Sequence, residues 1–230
     1  SKAIKKFEYE GFPTKKSENW KYTSLKRTLK YDYKLFPSKK DIIDFKDIQD
    51  YFINDIESYK IIFVNGKYYS NLSETTHEGM DICILSSALT QSKYDLIIEN
   101  YFDKISKKDG ITSLNTAFSQ EGAYIHIPKN IQVDKPIQIL HFSTGENESL
   151  MFQPRNLIVI DENSNVEIIE RYQSITNNNV LVNSVTEIYV NKKSNVKHYK
   201  IQNDKKSSSL IDNTYVSQEY SSSYNLHNCL

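Results

Sequence analysis

The sequence contains five histidines and two cysteines, which are the residue types best able to bind a metal or to take part in catalysis. The histidines do not stand at a familiar ligand spacing from another histidine, a cysteine or a carboxylate pair. His126 alternates with isoleucines on either side and should point away from the core. His141 shares the parity of Ile137 and Ile139, so we expect a satisfied interior histidine at this position.

The remaining candidate ligands do not form a site either. His198 and His227 lie in strand-like segments whose facing the sequence leaves open. Cys83 and Cys229 are too few for a disulfide framework or a four-thiolate metal site. We therefore predict no metal ligand and no catalytic residue, and a chain that holds no iron-sulfur cluster of its own.

Carboxylates offer the other route to chemistry, because several β-helix proteins cleave polysaccharides with acidic groups on one face. Glu167 and Glu170 cannot share a face of one strand, since their separation is odd and strand faces alternate at every residue. Phosphate-binding glycine loops are absent from the sequence, and its serines lack a strained nucleophile elbow. These patterns argue against a glycosidase, a nucleotide-binding protein and a serine hydrolase.

Composition narrows the class of partner. The 29 basic residues balance the 29 acidic ones, so no global field attracts nucleic acid or anionic lipid. No apolar run approaches the ~20 residues of a membrane span, and the first residues lack the apolar core of a signal peptide. We therefore expect a cytoplasmic protein that binds neither nucleic acid nor membrane.

The second half of the chain carries a repeat. Residues 158–167 align with residues 188–197, so that the sequence Ser-Asn-Val recurs at 164–166 and 194–196. A fixed period of this kind is typical of a solenoid, in which each unit buries its apolar face by stacking on its neighbours. A β-sandwich with similar hairpins is the alternative, but such sandwiches usually contain glycine-rich tight turns that are scarce here.

The first half reads as a smaller α+β region. Asn65 and Gly66 separate two apolar runs and predict a type I′ hairpin, and residues 82–85 read as a further strand. Ser17 and Ser38 could each cap a short helix, and Ser92 with Asp95 resembles a capping box. A last short helix is expected over 113–118. We predict an N-terminal domain over residues 1–120 and a β-helix domain over 121–230.

Three segments resemble the SufB/SufD family of iron-sulfur cluster assembly scaffolds, in the family's order and spacing. Residues 18–23, Glu-Asn-Trp-Lys-Tyr-Thr, are similar to the signature near the N-terminus of SufD subunits. Residues 114–118 and 122–128, followed by Pro136, resemble the family's entry into its β-helix. Residues 154–158, Pro-Arg-Asn-Leu-Ile, with Glu170, resemble its next block. Glu18, Trp20 and Tyr22 are interpreted as architectural, with the two aromatic side chains anchoring the N-terminal segment.

The resemblance implies a right-handed parallel β-helix in a non-catalytic scaffold subunit that pairs with SufB and with the ATPase SufC. An iron-sulfur cluster would then be handled transiently by the full complex. The family's later β-helix turns and SufC-docking segment have no counterpart here, so we expect a chain that is incomplete at its C-terminus and could form a homodimer through an exposed β-helix edge. The alternative function, supported by architecture alone, is a carbohydrate-active β-helix enzyme.

Overall fold

A computed structural model describes residues 2–35, 43–53, 56–75, 77–119, 121–144 and 148–229. The chain is mainly β, and its strands form two sheets. The strands are β1 (Tyr59–Val64), β2 (Lys67–Tyr68), β3 (Asp81–Ile84), β4 (Ala123–Ile127), β5 (Ile137–Ser143), β6 (Leu150–Phe152), β7 (Arg155–Ile160), β8 (Asn165–Ser174), β9 (Val180–Val190), β10 (Asn195–Gln202), β11 (Ser208–Gln218) and β12 (Ser223–Cys229).

The longer strands wind into a parallel β-solenoid of about three turns. One sheet has the order β2-β1-β5-β8-β10-β12 and the other has the order β3-β4-β7-β9-β11, with β6 pairing β9. From β7 onward, successive strands alternate between the two sheets, and their neighbours within each sheet are parallel. This confirms the β-helix predicted from the repeat.

The repeated segments occupy equivalent places on adjacent turns. Val166 of β8 pairs with Val196 of β10, and in the opposite sheet Ile158 of β7 pairs with Ile188 of β9. The corners before β8 and β10 contain residues in the left-handed region, Asn163 at φ 61° and Lys193 at φ 58°. Ser164 and Ser194 tie these corners together, since the Ser194 hydroxyl accepts a hydrogen bond of 3.1 Å from the backbone N–H of Ser164.

The principal core lies between the two sheets. Its members are apolar residues that alternate along each strand, and β-branched isoleucine and valine predominate because they pack well on a pleated surface. The inward residues of the central strands are Ile125, Ile127, Ile137, Ile139, Ile158, Ile160, Val166, Ile168, Ile188, Val190 and Val196. Burial of this set stabilises the stacking of the turns.

The helices precede the central strands of the solenoid. They are α1 (Lys2–Glu10), α2 (Phe45–Ile48), α3 (Leu85–Ala88), α4 (Asp95–Tyr101) and α5 (Gly110–Phe118), together with short 3-10 helices at Glu18–Trp20, Gln49–Tyr51, Ser70–Leu72 and Ser92–Tyr94. Helix α5 packs on strand β9 and on α1. Phe7 of α1 and Leu114 of α5 belong to the same apolar cluster as Leu25 and Leu181.

The predicted hairpin is confirmed, with Asn65 at φ 50° and Gly66 at φ 74° between the antiparallel strands β1 and β2. Its second strand is shorter than the apolar run suggested, because the chain turns into a 3-10 helix at Ser70. The strand expected over 82–85 is β3, which ends at Ile84 because Leu85 starts helix α3.

The helix caps differ from the predictions. Ser17 precedes a single 3-10 turn without a side-chain capping bond, and Leu25 lies beyond that turn. Ser92 belongs to a 3-10 helix, so the capping box with Asp95 is wrong. The last helix begins at Gly110, three residues earlier than predicted, because the Asp109 side chain caps it by accepting a bond from the Thr112 N–H. The predicted cap at Ser38 lies outside the described residues.

A buried ion pair fastens the segment after α4 to the solenoid. The Arg155 guanidinium donates to Glu187 and to Asp103, at 2.8 Å in each case. The Glu187 carboxylate also accepts from the backbone N–H groups of Asp103, Ile105 and Ser106. Arg155 and Glu187 are nearly inaccessible to solvent, so each offsets the cost of burying the other.

Strand β1 of the first part of the chain pairs in parallel with β5 along its full length, and β3 pairs with β4 in the antiparallel sense. The sheets of the solenoid therefore include strands from both sides of residue 120. The division into domains over 1–120 and 121–230 stays a prediction. Among the described residues, no helix is long and apolar enough to cross a membrane.

Candidate functional site

The inward-facing positions of the solenoid change from apolar to polar along the strands. Val166 and Val196 lie inside at the start of β8 and β10, whereas Glu170 and Lys200 occupy the same face four residues later. Neighbouring strands add polar side chains at the same level. We call this set the interior polar cluster, and its members are Asn156, Glu170, Tyr172, Ser184, Thr186, His198, Lys200, Asp212 and Thr214.

The Glu170 carboxylate lies at the centre of the interior polar cluster and is fully buried. One oxygen, Oε1, accepts a bond of 2.5 Å from the Tyr172 hydroxyl. The other oxygen, Oε2, lies 3.1 Å from His198 Nε2 and 3.1 Å from Lys200 Nζ. Several donors therefore surround a carboxylate that would otherwise be costly to bury.

The Lys200 ammonium joins the two sheets across the interior. Its Nζ lies 2.8 Å and 2.7 Å from the two Asp212 carboxylate oxygens and 2.7 Å from the Thr214 hydroxyl. Lys200 comes from β10, whereas Asp212 and Thr214 come from β11 in the opposite sheet. One ammonium group therefore faces two carboxylates, those of Asp212 and Glu170.

His198 connects Glu170 to the outermost strand. Its Nε2 faces the Glu170 carboxylate, and its Nδ1 lies 2.9 Å from the Tyr224 hydroxyl of β12. Because a carboxylate can only accept, Nε2 carries a proton and donates it. In the neutral imidazole, Nδ1 then accepts from the Tyr224 O–H.

The cluster shifts the proton affinities of its members. Burial opposes ionisation of Glu170, but the Lys200 charge and the hydrogen bonds from His198 and Tyr172 outweigh it and lower the pKa of Glu170. Burial likewise disfavours the charged form of Lys200, yet Glu170 and Asp212 raise its pKa above the ordinary value. Burial raises the pKa of Tyr172, so its phenol stays protonated and acts as a donor to Glu170.

His141 lies next to the cluster on the same interior face. Its ring stacks between Phe63, with ring centroids 4.9 Å apart, and Tyr172, at 4.8 Å. Complete burial lowers the pKa of His141 to about 4, so the ring is neutral at pH 7. The interior position is as predicted, but the expectation of a satisfied histidine is wrong, because Nε2 has no hydrogen-bond partner among the described residues.

His126 and His227 lie outside the interior polar cluster. His126 points out of the core as predicted, and its Nε2 lies 2.9 Å from the Asp161 carboxylate. His227 is on the outer side of β12, where it stacks on Tyr199. His198 thus faces inward and His227 outward, which answers the question that the sequence left open. Within the described part of the chain, no group of three or more His, Cys, Asp and Glu side chains could hold a metal ion.

The two carboxylates of β8 lie on opposite faces, as their odd separation requires. The Glu167 side chain is outside and pairs with Lys197 at 2.6 Å, whereas Glu170 is inside. Both cysteines are free thiols: Cys83 is half-buried and Cys229 is exposed. Burial raises the pKa of the Cys83 thiol, which makes it a poor nucleophile at neutral pH.

Of the two aromatic residues in the N-terminal signature, one packs against the core and the other does not. Trp20 packs against the apolar cluster that contains Leu25 and Ile111. Tyr22 is 90 % exposed, so its predicted anchoring role is wrong. The reason is that the 3-10 helix ends at Trp20, and the following turn carries Tyr22 into solvent with the Lys21 ammonium 5.5 Å from its ring centroid.

Sequence reasoning did not single out Lys200 and Asp212 as partners of Glu170. A usable signal existed for Lys200, because Glu170 and Lys200 are equivalent positions of the 30-residue repeat and are register partners in the parallel sheet. Asp212 has no such signal in the sequence. It belongs to β11 in the opposite sheet, and its contact with Lys200 of β10 depends on how each turn of the solenoid brings the two sheets together. The cluster is a charge network that can fix the alignment of turns, and its outermost carboxylate, Asp212 of the edge strand β11, is partly exposed.

These features define a class: a parallel β-solenoid with an apolar interior at one end of its turns and a buried charge cluster at the other. Two family models together match almost the whole chain. Residues 1–139 match the family model described as the SufBD protein N-terminal region, and residues 141–230 match the SufBD core domain of the SUF system for FeS cluster assembly. The chain therefore belongs to the SufBD family.

Curated relatives agree at modest identity. An iron-sulfur cluster assembly SufBD family protein of Synechocystis is 27% identical over 230 residues, covering 93% of this chain and 49% of the relative. The iron-sulfur cluster assembly protein SufD of Bacillus subtilis is 27% identical over 195 residues, covering 82% of this chain and 43% of the relative. The chain thus spans about half the length, or less, of these relatives.

Proposed function

We propose that this chain acts as a non-catalytic scaffold subunit of the SUF machinery for iron-sulfur cluster assembly, paired with a SufB-like paralogue and a SufC-like ATPase. The observation that carries the proposal is the match of both SufBD family models, one over residues 1–139 and the other over 141–230. A cytoplasmic location and transient handling of a cluster by the whole complex belong to the same proposal.

The described solenoid includes two strands that have a neighbour on one side only. Strands β11 and β12 are the outermost strands of their sheets at the same end of the described solenoid. Among the described residues β12 pairs only with β10, and Leu226 of β12 is 42% exposed. The proposal includes a homodimer through a β-helix edge as the state that would compete with binding of the SufB-like paralogue.

The alternative, a carbohydrate-active enzyme, has weaker support. A glycosidase needs two carboxylates that flank the same bond, separated by about 5 to 9 Å. Glu167 and Glu170 face opposite sides of β8, and the two carboxylates that do share the interior, Glu170 and Asp212, are both bound to the Lys200 ammonium. The arrangement therefore favours a scaffold over a polysaccharide enzyme.

Deletion of the gene in its native host tests the proposal. We expect the activity of cellular iron-sulfur enzymes to fall under iron limitation, and expression of the native gene to restore it. Assays of the purified protein on polysaccharides serve as the comparison. Unchanged iron-sulfur enzyme activity together with polymer cleavage would overturn the scaffold proposal in favour of the alternative.

A further inference from the structure

A neutral chain carries a strongly basic segment near its N-terminus. Residues 15–34 contain seven lysine or arginine side chains against two acidic ones, although the whole sequence has no net charge. Most of the segment is exposed between residues 14 and 32. This concentration of charge on one surface is a feature that the assembly role described above does not use.

The basic segment borders a groove with a volume of about 650 Å³. Its floor is apolar and consists of Phe12, Pro13, Leu25 and Leu29. Leu25 is buried in an apolar cluster, and Phe12 and Leu29 pack against the same cluster, so the floor is fixed by the core rather than by surface contacts. A floor held in this way is pre-formed, which reduces the ordering cost of binding.

Three lysines form the rim of the groove: Lys15, Lys16 and Lys26. No carboxylate lines the groove, and among the described residues none of the three ammonium groups has a carboxylate oxygen within 4 Å. We call the apolar floor and its three lysines the basic groove. It combines a place for an apolar side chain with positive charge that has no partner in this part of the chain.

We propose that the basic groove is a docking site for an acidic, amphipathic peptide segment of a partner protein. An apolar side chain of the segment enters between Leu25 and Leu29, and its carboxylates face the lysine rim. The mode is the familiar one of an amphipathic segment in an apolar groove, with charge complementarity providing selectivity. This inference does not depend on pairing with SufB-like or SufC-like proteins.

The shape of the site favours a peptide over nucleic acid or membrane. Single-stranded nucleic acid is bound through aromatic platforms on which bases stack, whereas the floor here is mainly aliphatic, with Phe12 as its aromatic member. Membrane-binding surfaces insert protruding apolar side chains, whereas in the basic groove Leu25 is buried and Phe12 and Leu29 are half-buried.

A binding assay tests the proposal with a fluorescent helical peptide of about 14 residues, or about four turns, that has leucine on one face and glutamate on the other. The native protein should bind it saturably, and binding should weaken as salt rises from about 50 to 300 mM. A peptide of the same composition in scrambled order should bind at least about tenfold more weakly, because its leucines no longer share a face.

Charge reversal locates the site. The triple variant Lys15→Glu, Lys16→Glu, Lys26→Glu should bind the peptide at least about tenfold more weakly than the native protein. The matched control is Lys67→Glu, Lys192→Glu, Lys206→Glu, which makes the same change in net charge at exposed lysines outside the groove. It should bind within about twofold of the native protein. Thermal melts confirm that both variants fold.

Several outcomes would overturn the proposal. Absence of saturable binding, equal weakening by the two triple variants, or equal affinity for the scrambled peptide would each rule out a specific groove. Tighter binding of vesicles that contain phosphatidylserine, or of a single-stranded DNA, lost in the groove variant, would replace the peptide with a membrane or a nucleic acid as the ligand.

Discussion

At the scale of single residues, the unusual feature is one ammonium group between two carboxylates inside a β-solenoid. Lys200 is 7% exposed and contacts both Glu170 and Asp212. Burial of an isolated charge is strongly unfavourable, so each member of the interior polar cluster is tolerated because the others are present. The cluster therefore specifies which turns lie next to one another, since any shift of register separates the charges.

Replacing Lys200 with methionine should destabilise the fold by about 3 to 5 kcal/mol, because the Glu170 and Asp212 carboxylates would lose their shared cation. Urea unfolding measures the change. The matched control is Lys197→Met on the same strand, whose ammonium pairs with Glu167 at the exposed surface and should leave stability nearly unchanged. If both variants unfold at the same urea concentration, the cluster is not the buried charge network described here.

His141 makes stability depend on pH. The unfolded chain binds a proton near pH 6.5, whereas the folded chain resists protonation of His141 down to about pH 4. Stability that is present above pH 6.5 is therefore lost as pH falls toward 4, by up to about 3 kcal/mol. The lowered pKa of Glu170 adds a second loss at lower pH, since its stabilising contribution also disappears as the carboxylate takes up a proton.

The variant His141→Phe keeps an aromatic ring between Phe63 and Tyr172 but cannot be protonated. Its urea midpoint should fall less than that of the native protein between pH 7 and pH 5. The control His227→Phe replaces the outward histidine that stacks on Tyr199 and should keep the native pH dependence. An unchanged pH dependence in His141→Phe would show that another group governs acid sensitivity.

At the scale of elements, Gly122 fixes the entry of β4 into the solenoid. A Cβ atom at this position would lie 1.7 Å from the Arg155 carbonyl oxygen, so the backbones of neighbouring turns approach closely here. The three atoms nearest to such a Cβ are the carbonyl oxygen, carbonyl carbon and amide nitrogen of Arg155, and these backbone atoms cannot rotate away. The glycine is therefore required for packing, next to an arginine that itself anchors the segment after α4.

Gly122→Ala should destabilise the protein by about 3 kcal/mol or more, since backbone must move to relieve the overlap. Thermal unfolding measures the effect. Gly79→Ala is the comparison: Gly79 has φ +88°, but a Cβ there meets only an Ile131 methyl at 3.9 Å. Its cost should be about 1 kcal/mol from backbone strain alone. A smaller loss for Gly122→Ala than for Gly79→Ala would contradict the close approach.

The repeat and the hairpin could be predicted because they follow from local chemistry. The alignment of 158–167 with 188–197 anticipated the pairing of Val166 with Val196. The left-handed residue at the second corner, Lys193, was not anticipated, because lysine has no preference for positive φ and adopts it under the geometry of the turn. Nor could local pattern reveal that β1 pairs with β5, since that contact joins residues 78 positions apart, such as Tyr59 and Ile137.

At the scale of the whole molecule, the family was predictable but the charge cluster was not. Alternation along β8 places Glu170 on the same side as Ile168, yet a glutamate in a strand normally indicates a solvent-exposed face. Recognising it as interior requires its partners, and Asp212 belongs to the opposite sheet. The polar interior therefore depends on how the chain winds into turns. Sequence patterns specify only which way the residues of a single strand face.

Assembly is the central claim, and purification of the native complex tests it most directly. The protein, tagged at its chromosomal locus, is isolated from its host under anaerobic conditions, and the intact complex is weighed by native mass spectrometry. The account predicts a complex of the tagged protein with a SufB-like paralogue and a SufC-like ATPase. Recovery of the tagged protein alone, or as a homodimer without those partners, would contradict it.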